Sequence, residues 1–230
     1  MGAYLTQNTA WSNVERALTS LREAKLLSVD GIRRTRLSRL EKLIRSAGYF
    51  RQKALRLKTF IQFLEDRYGG SLSRMFLQPA KQLREELLAL NGVGPETADS
   101  ILLYAGNYPV FVVDGYTRRI LERHQIIGTK ASYEEIREIA ERALTPLADK
   151  GGTKADSLTG IRSGPSGSCH APSRMSTAKR APMAQVFNEM HGLIVGVGKN
   201  YCKKSQMRCE QCPLRDFLPA GTIGDVEVPR

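Results

Sequence analysis

LLALNGVGPETADSILLYAGNYPVFVVDGYTRRIL, residues 87–121, is the stretch on which the reading of this chain turns. Leu87 and Leu88 close an apolar helical pattern over about 79–90, Asn91-Gly92-Val93-Gly94 breaks it, and Pro95 opens a second helix over about 95–105. Proline suits that first turn because its missing N–H would have no partner there anyway. Glycine tolerates positive φ and lets another backbone or a ligand approach closely. The amides of such a turn and of the following helix N-terminus point outward together, an arrangement that binds phosphate. Contacts of that kind place a protein on nucleic acid without reading its sequence. The same residues also fit a plain helical hairpin. Twenty residues beyond Gly94, the short β-rich run VFVV (110–113) ends on Asp114, which suits the N-cap of a helix over 115–124 that carries Arg118 and Arg119.

Outward from this stretch, the pattern is helical almost throughout. Helices are predicted over 12–27, 36–47 and 49–67, the last ended by Gly69-Gly70. Ser132 and Glu135 form a capping box for a helix over 133–148, and another follows around 184–197. Residues 151–182 hold five Gly, six Ser and three Pro, with five basic residues against one acidic. That composition reads as a flexible basic insertion. The expected organisation is a region 1–150 containing a six-helix lobe and the hairpin 87–105, the insertion 151–182, and a C-terminal helix and cysteine loop over 183–230.

The chain has 230 residues, 41% apolar and 25% charged, enough for one large or two small domains with a real core. Its net charge of +12 favours a polyanionic partner, nucleic acid before membrane. RRTRLSRLEKLIR (33–45) and RQKALRLK (51–58) concentrate that charge on amphipathic helical patterns. No apolar run approaches the ~20 residues of a membrane span, and MGAYLTQNTAW lacks the features of a signal peptide. A cytoplasmic, nucleoid-associated monomer is expected. Three of the four cysteines, Cys202, Cys209 and Cys212, lie close together, which in a reducing compartment suggests metal before disulfides.

Leu90-x-Gly92-Val93-Gly94-x-x-Thr97-Ala98, followed by Val112-Val113-Asp114, resembles the helix-hairpin-helix, Gly/Pro-rich loop and aspartate signature of the endonuclease III superfamily of DNA glycosylases. The resemblance extends from Leu5-Thr6-Gln7-Asn8-Thr9 to the cysteine cluster. It implies an all-α fold of two helical lobes with the active-site cleft between them and a C-terminal cysteine loop. Relatives begin some tens of residues ahead of the Leu5–Thr9 segment, so supporting helices there are expected to be missing. The resemblance makes Asp114 the carboxylate that promotes departure of a damaged base from a flipped nucleotide, by activating water or by stabilising positive charge on the sugar. Gln7 matches the residue that fills the gap in the duplex. Gly92, Val93, Gly94, Thr97 and Arg118 fall at positions that hold the DNA backbone.

Strand-cutting relatives carry a lysine where this chain has Glu96. A carboxylate forms no Schiff base, so the chain is expected to hydrolyse the glycosidic bond without lyase activity. Lys53 and Lys58 would substitute only if the fold aimed them at the sugar. GPETADSILLY (94–104), the TQNTAW start and NEMHGLIV (188–195) look most like the branch that excises 3-methyladenine and other alkylated purines. Trp11 is then the candidate stacking residue for a cationic base, and His191 a pocket or scaffold residue. In the family's loop, Cys-x6-Cys-x2-Cys-x5-Cys holds a 4Fe-4S cluster. Cys202, Cys209 and Cys212 match three ligands and Leu218 stands at the fourth, with Cys169 as another candidate and a lost cluster as the alternative. Lys203, Lys204 and Arg208 are placed to meet DNA either way. Competing readings are an endonuclease III-type glycosylase/AP lyase acting on oxidised pyrimidines or mismatches, a non-catalytic DNA-binding protein, and a basic RNA-associated protein.

Overall fold

The computed structural model describes residues 1–149, 180–205 and 207–219. Cys169 and nearly all of the insertion expected at 151–182 lie outside the described residues. The chain divides into two compact units, Met1–Leu102 and Leu103–Arg230.

The first unit contains α1 (Gly2–Leu5), α2 (Trp11–Glu23), α3 (Val29–Arg34), α4 (Leu37–Leu43), α5 (Phe50–Tyr68), α6 (Leu72–Met75) and α7 (Ala80–Leu88). The division from the second unit falls inside α8 (Pro95–Gly106). Val14, Ala17 and Leu21 recur at helical spacing on α2 and are fully buried. α5 packs against α1, α3, α4 and α6 and buries Ala54, Leu57, Ile61 and Leu64.

Two expected elements differ here. The helix expected over 12–27 stops at Glu23, because Lys25 takes a φ of 57° and turns the chain. Ser28 then caps the separate helix α3, its Oγ accepting from the amide of Gly31 at 3.0 Å. The helix expected over 36–47 also ends early, at Leu43. A 3-10 turn over Arg45–Ala47 leads to Gly48 and Tyr49, both at positive φ, and these redirect the chain into α5.

The second unit contains α9 (Gly115–Arg123), α10 (Tyr133–Asp149) and α11 (Pro182–Asn200), with α11 packed on α9 and α10. The helix begun near residue 183 therefore shares a compact unit with the Asp114 segment. The capping box forms as expected: the amide of Ser132 donates to Glu135, and the amide of Glu135 donates to the Ser132 hydroxyl at 3.2 Å.

The VFVV run makes no strand, and among the described residues there is only an isolated bridge between Cys202 and Met207. Its β-rich composition answers to burial instead. Phe111, Val112 and Val113 join Leu103, Ile136, Ala184 and Phe187 in the core of this unit. Side chains of α10 stand in for a neighbouring strand: the Phe111 amide donates to Glu141 Oε1 at 2.9 Å and the Val113 amide to the Tyr133 hydroxyl at 3.3 Å. No helix among the described residues is long and apolar enough to cross a membrane.

Candidate active site

Arg84 and Asp99 clamp the two hairpin helices together. Nε meets Oδ1 at 2.6 Å and Nη2 meets Oδ2 at 3.1 Å around a fully buried carboxylate. Between the helices the chain turns at Gly92, whose φ is 79°. A Cβ on Gly92 would lie 2.1 Å from Nε of Arg56, so the φ favours glycine and any side chain would also displace Arg56. Gly94 is exposed, and a Cβ added to it would meet nothing within 4 Å. Val93 and Thr97 are buried, and Glu96 is exposed in the first turn of α8.

Gln7 braces this turn from 85 residues away in sequence. Its Nε2 donates to the carbonyl of Gly92 at 3.0 Å and to Thr97 Oγ1 at 2.9 Å, while its Oε1 accepts from Arg56 Nη1 at 2.7 Å. Lys53 holds the Gln7 segment in turn. Lys53 as a whole is 1% exposed, and its ammonium donates to the carbonyls of Leu5, Gln7 and Ala47 at 2.9, 2.7 and 2.7 Å. Three donors meet three acceptors, which is what makes a buried cation tolerable. Burial, and then the charge of Arg56, lower its pKa. Lys58 does similar work, donating to the carbonyls of Ile32 and Arg33 at 2.6 and 2.8 Å.

Asp114 N-caps α9, and its two oxygens are used differently. Oδ1 accepts from the amides of Tyr116 and Thr117 at 2.9 and 2.8 Å and from the Thr117 hydroxyl at 3.0 Å. Oδ2 faces His191 Nε2 at 3.5 Å, close enough for an electrostatic contact but too long for a well-formed hydrogen bond. Burial pushes the Asp114 pKa up, but His191 and the Thr117 donors more than offset it, leaving the carboxyl below its ordinary range. His191 Nδ1 meets the Tyr104 hydroxyl. Burial, then the Asp114 charge, raise the Tyr104 pKa and keep that hydroxyl protonated. The hydroxyl and Nδ1 share one hydrogen bond whose direction follows the imidazole tautomer.

In the C-terminal loop, Cys202, Cys209 and Cys212 are free thiols lining a cavity of about 250 Å³ together with Arg123, His124 and Leu218. Arg123 Nη1 donates to Cys202 Sγ at 3.1 Å and to the Lys203 carbonyl at 2.8 Å, and Arg119 Nε donates to the Cys202 carbonyl at 2.7 Å. Burial and the neighbouring thiols Cys202 and Cys212 raise the pKa of Cys209, against the opposing charge of Arg123. Among the described residues, no three His, Cys, Asp or Glu side chains converge tightly enough to hold one metal ion. The three cysteines line one largely apolar cavity beside Arg123, and thiolate is the donor type that iron–sulfur clusters take.

The family model for HhH-GPD superfamily base excision DNA repair proteins matches residues 1–146. The chain belongs to this superfamily. A Methanocaldococcus jannaschii protein whose name places it among the DNA repair glycosylases is 37% identical over 224 residues, covering 94% of this chain and 82% of that protein. Endonuclease III of Thermotoga maritima is 25% identical, covering 92% of this chain and 77% of its own length. Among solved structures, the H. pylori 3-methyladenine DNA glycosylase bound to 1,N6-ethenoadenine aligns with a TM-score of 0.66 at 27% identity, over 86% of this chain and 82% of that one.

For an HhH-GPD protein, several sequence-derived site residues hold unexpected partners. Arg118 donates to the Ala131 carbonyl at 2.7 Å. Trp11 opens α2 half exposed, its Nε1 donating to Glu15 at 2.9 Å. Sequence reasoning missed the bracing by Lys53 and Arg56 and the contact of Tyr104 with His191. Asn8, beside Gln7, is exposed at a φ of 52°.

Proposed function

We propose that this protein is a monofunctional DNA glycosylase that removes N-alkylated purines by hydrolysis, with Asp114 as the catalytic carboxylate. The observation that carries the reading is the division of labour at Asp114. Three donors occupy Oδ1, while among the described residues Oδ2 faces His191 Nε2 at 3.5 Å. A carboxylate held below its ordinary pKa is a poor base but a dependable anion. It is therefore suited to stabilising positive charge on the sugar as the base departs, more than to stripping a proton from water.

A cationic alkylated purine leaves without being protonated first, so one buried anion serves. The H. pylori structural neighbour, a 3-methyladenine DNA glycosylase bound to 1,N6-ethenoadenine, supports a modified adenine as the substrate class. The absence of lyase chemistry rests on Glu96 at the family's lysine position and on Lys53 and Lys58, whose amines are committed to backbone carbonyls.

On this reading the hairpin meets a phosphate. Gly94 leaves room for the strand, and Gln7 fixes the turn. Asn8, next to Gln7 and exposed, offers the side chain that enters the gap left by the flipped nucleotide. The exposed half of Trp11 is available for stacking. The test is base release from duplexes bearing 3-methyladenine, 7-methylguanine, ethenoadenine, oxidised pyrimidines or mismatches. Release confined to the last two groups would reject the substrate assignment, and no release with intact duplex binding would reject catalysis.

A further inference from the structure

We propose that His124 is the fourth ligand of an iron–sulfur cluster held by Cys202, Cys209 and Cys212. The proposal rests on the reading that the cysteine loop holds a cluster at all. Leu218, at the fourth place in the loop's own spacing, lines the cavity with a side chain that cannot ligate. His124 is the C-cap of α9 and lines the same cavity. Its Nδ1 lies 3.1 Å from the carbonyl oxygen of Phe217, the residue just before Leu218. The imidazole is thus anchored beside the position where a thiolate is lacking.

The anchoring also fixes which nitrogen is available. A carbonyl only accepts, so Nδ1 carries the hydrogen and donates it, leaving the lone pair on Nε2. Metal-bound histidines are held in this way, one nitrogen on iron or zinc and the other donating to a carbonyl or carboxylate. Imidazole in place of thiolate is established iron–sulfur chemistry, and it makes the cluster less negative and easier to reduce. The surroundings fit a cluster of that kind: Val197, Met207 and Leu214 keep the cavity apolar, and Arg123 places a positive charge on the Cys202 sulfur.

The experiment uses the full chain, purified anaerobically and reconstituted with iron and sulfide, beside His124→Ala and the double variant His124→Ala/Leu218→Cys. Iron, sulfide and zinc contents are measured, helicity is checked by circular dichroism, and the reduced cluster is examined by pulsed electron paramagnetic resonance with isotope-labelled histidine. The expected result is about four irons per chain, with a nitrogen coupling that changes on labelling. His124→Ala should lose that coupling and about a quarter of its iron, and Leu218→Cys should restore the iron without the nitrogen signal. If His124→Ala fails to fold, the labelled wild-type spectrum decides alone. A four-iron cluster without histidine coupling overturns the ligand assignment and leaves the cluster reading standing. Folded wild-type protein that takes up no iron, or zinc instead, sinks the cluster reading itself.

Discussion

His191 stands between Tyr104 and Asp114, its Nδ1 on the tyrosine hydroxyl and its Nε2 3.5 Å from the carboxylate Oδ2. The histidine helps hold Asp114 ionised despite burial. Replacing it with alanine removes a lowering influence, so the Asp114 pKa should rise and the acid limb of the pH–rate profile should move upward. Each unit of that rise corresponds to about tenfold in differential stabilisation of the anion. The Tyr104→Phe variant should move the limb in the same direction by less. A profile that keeps its shape in His191→Ala, with only a uniform loss of rate, would mean that His191 is purely structural.

Asp114→Asn should lower excision by at least about a hundredfold while leaving duplex binding and folding largely intact. The amide keeps an acceptor oxygen for the Tyr116 and Thr117 donors but loses the charge. The same pair of proteins reports the pKa through stability. Because the folded carboxyl lies below its ordinary value of 3.8, its contribution is fully present above that pH and is lost as pH falls through the folded pKa. Chemical denaturation of wild type and variant should therefore give a stability difference that is constant near neutrality and shrinks only in strong acid. A difference already fading at pH 5 would contradict the lowered pKa.

The two hairpin glycines should behave differently. Gly92→Ala places a Cβ against Arg56 at a φ of 79° and should cost about 1–3 kcal/mol of stability. Gly94→Ala meets no protein atom within 4 Å and should leave stability unchanged to within about 0.5 kcal/mol. Its effect should fall on DNA instead, weakening all duplexes alike and acting on phosphate contact rather than on sequence. Thermal melts and titrations at fixed salt separate the two. Equal melting losses in both variants would argue against an external partner at Gly94.

What was legible in the sequence was local. The turn at Gly92, the Pro95 start of α8, the Asp114 cap and the Ser132–Glu135 box each involve residues within a few positions of one another, and their hydrogen bonds follow from the residue types. What was not legible joins distant segments. Gln7 and Gly92 are 85 residues apart and Tyr104 and His191 are 87 apart, and no spacing rule pairs them. Gln7 reads from the sequence as a residue facing DNA, and its bonds to Gly92, Thr97 and Arg56 are invisible there because all three partners are distant in the chain. VFVV misled for a related reason: β-branched residues serve a buried extended segment as well as a strand, and only α10, supplying Glu141 and Tyr133, decides between them.

No covalent intermediate should form between this protein and damaged DNA. A Schiff base needs a partly deprotonated amine within reach of the sugar carbon. The burial that lowers the Lys53 pKa would favour such an amine, but its three hydrogens point at Leu5, Gln7 and Ala47. Freeing it would strand three buried carbonyls. Lys53→Met should accordingly destabilise the first unit by on the order of 3 kcal/mol and loosen the Gln7 segment, without changing the type of product. Incubating protein, alkylated duplex and borohydride should leave an intact strand with an abasic site, cleaved only by hot alkali, and no protein–DNA adduct. An efficient adduct in the wild type that disappears in a folded Lys53→Met variant would make Lys53 the nucleophile and the enzyme a lyase.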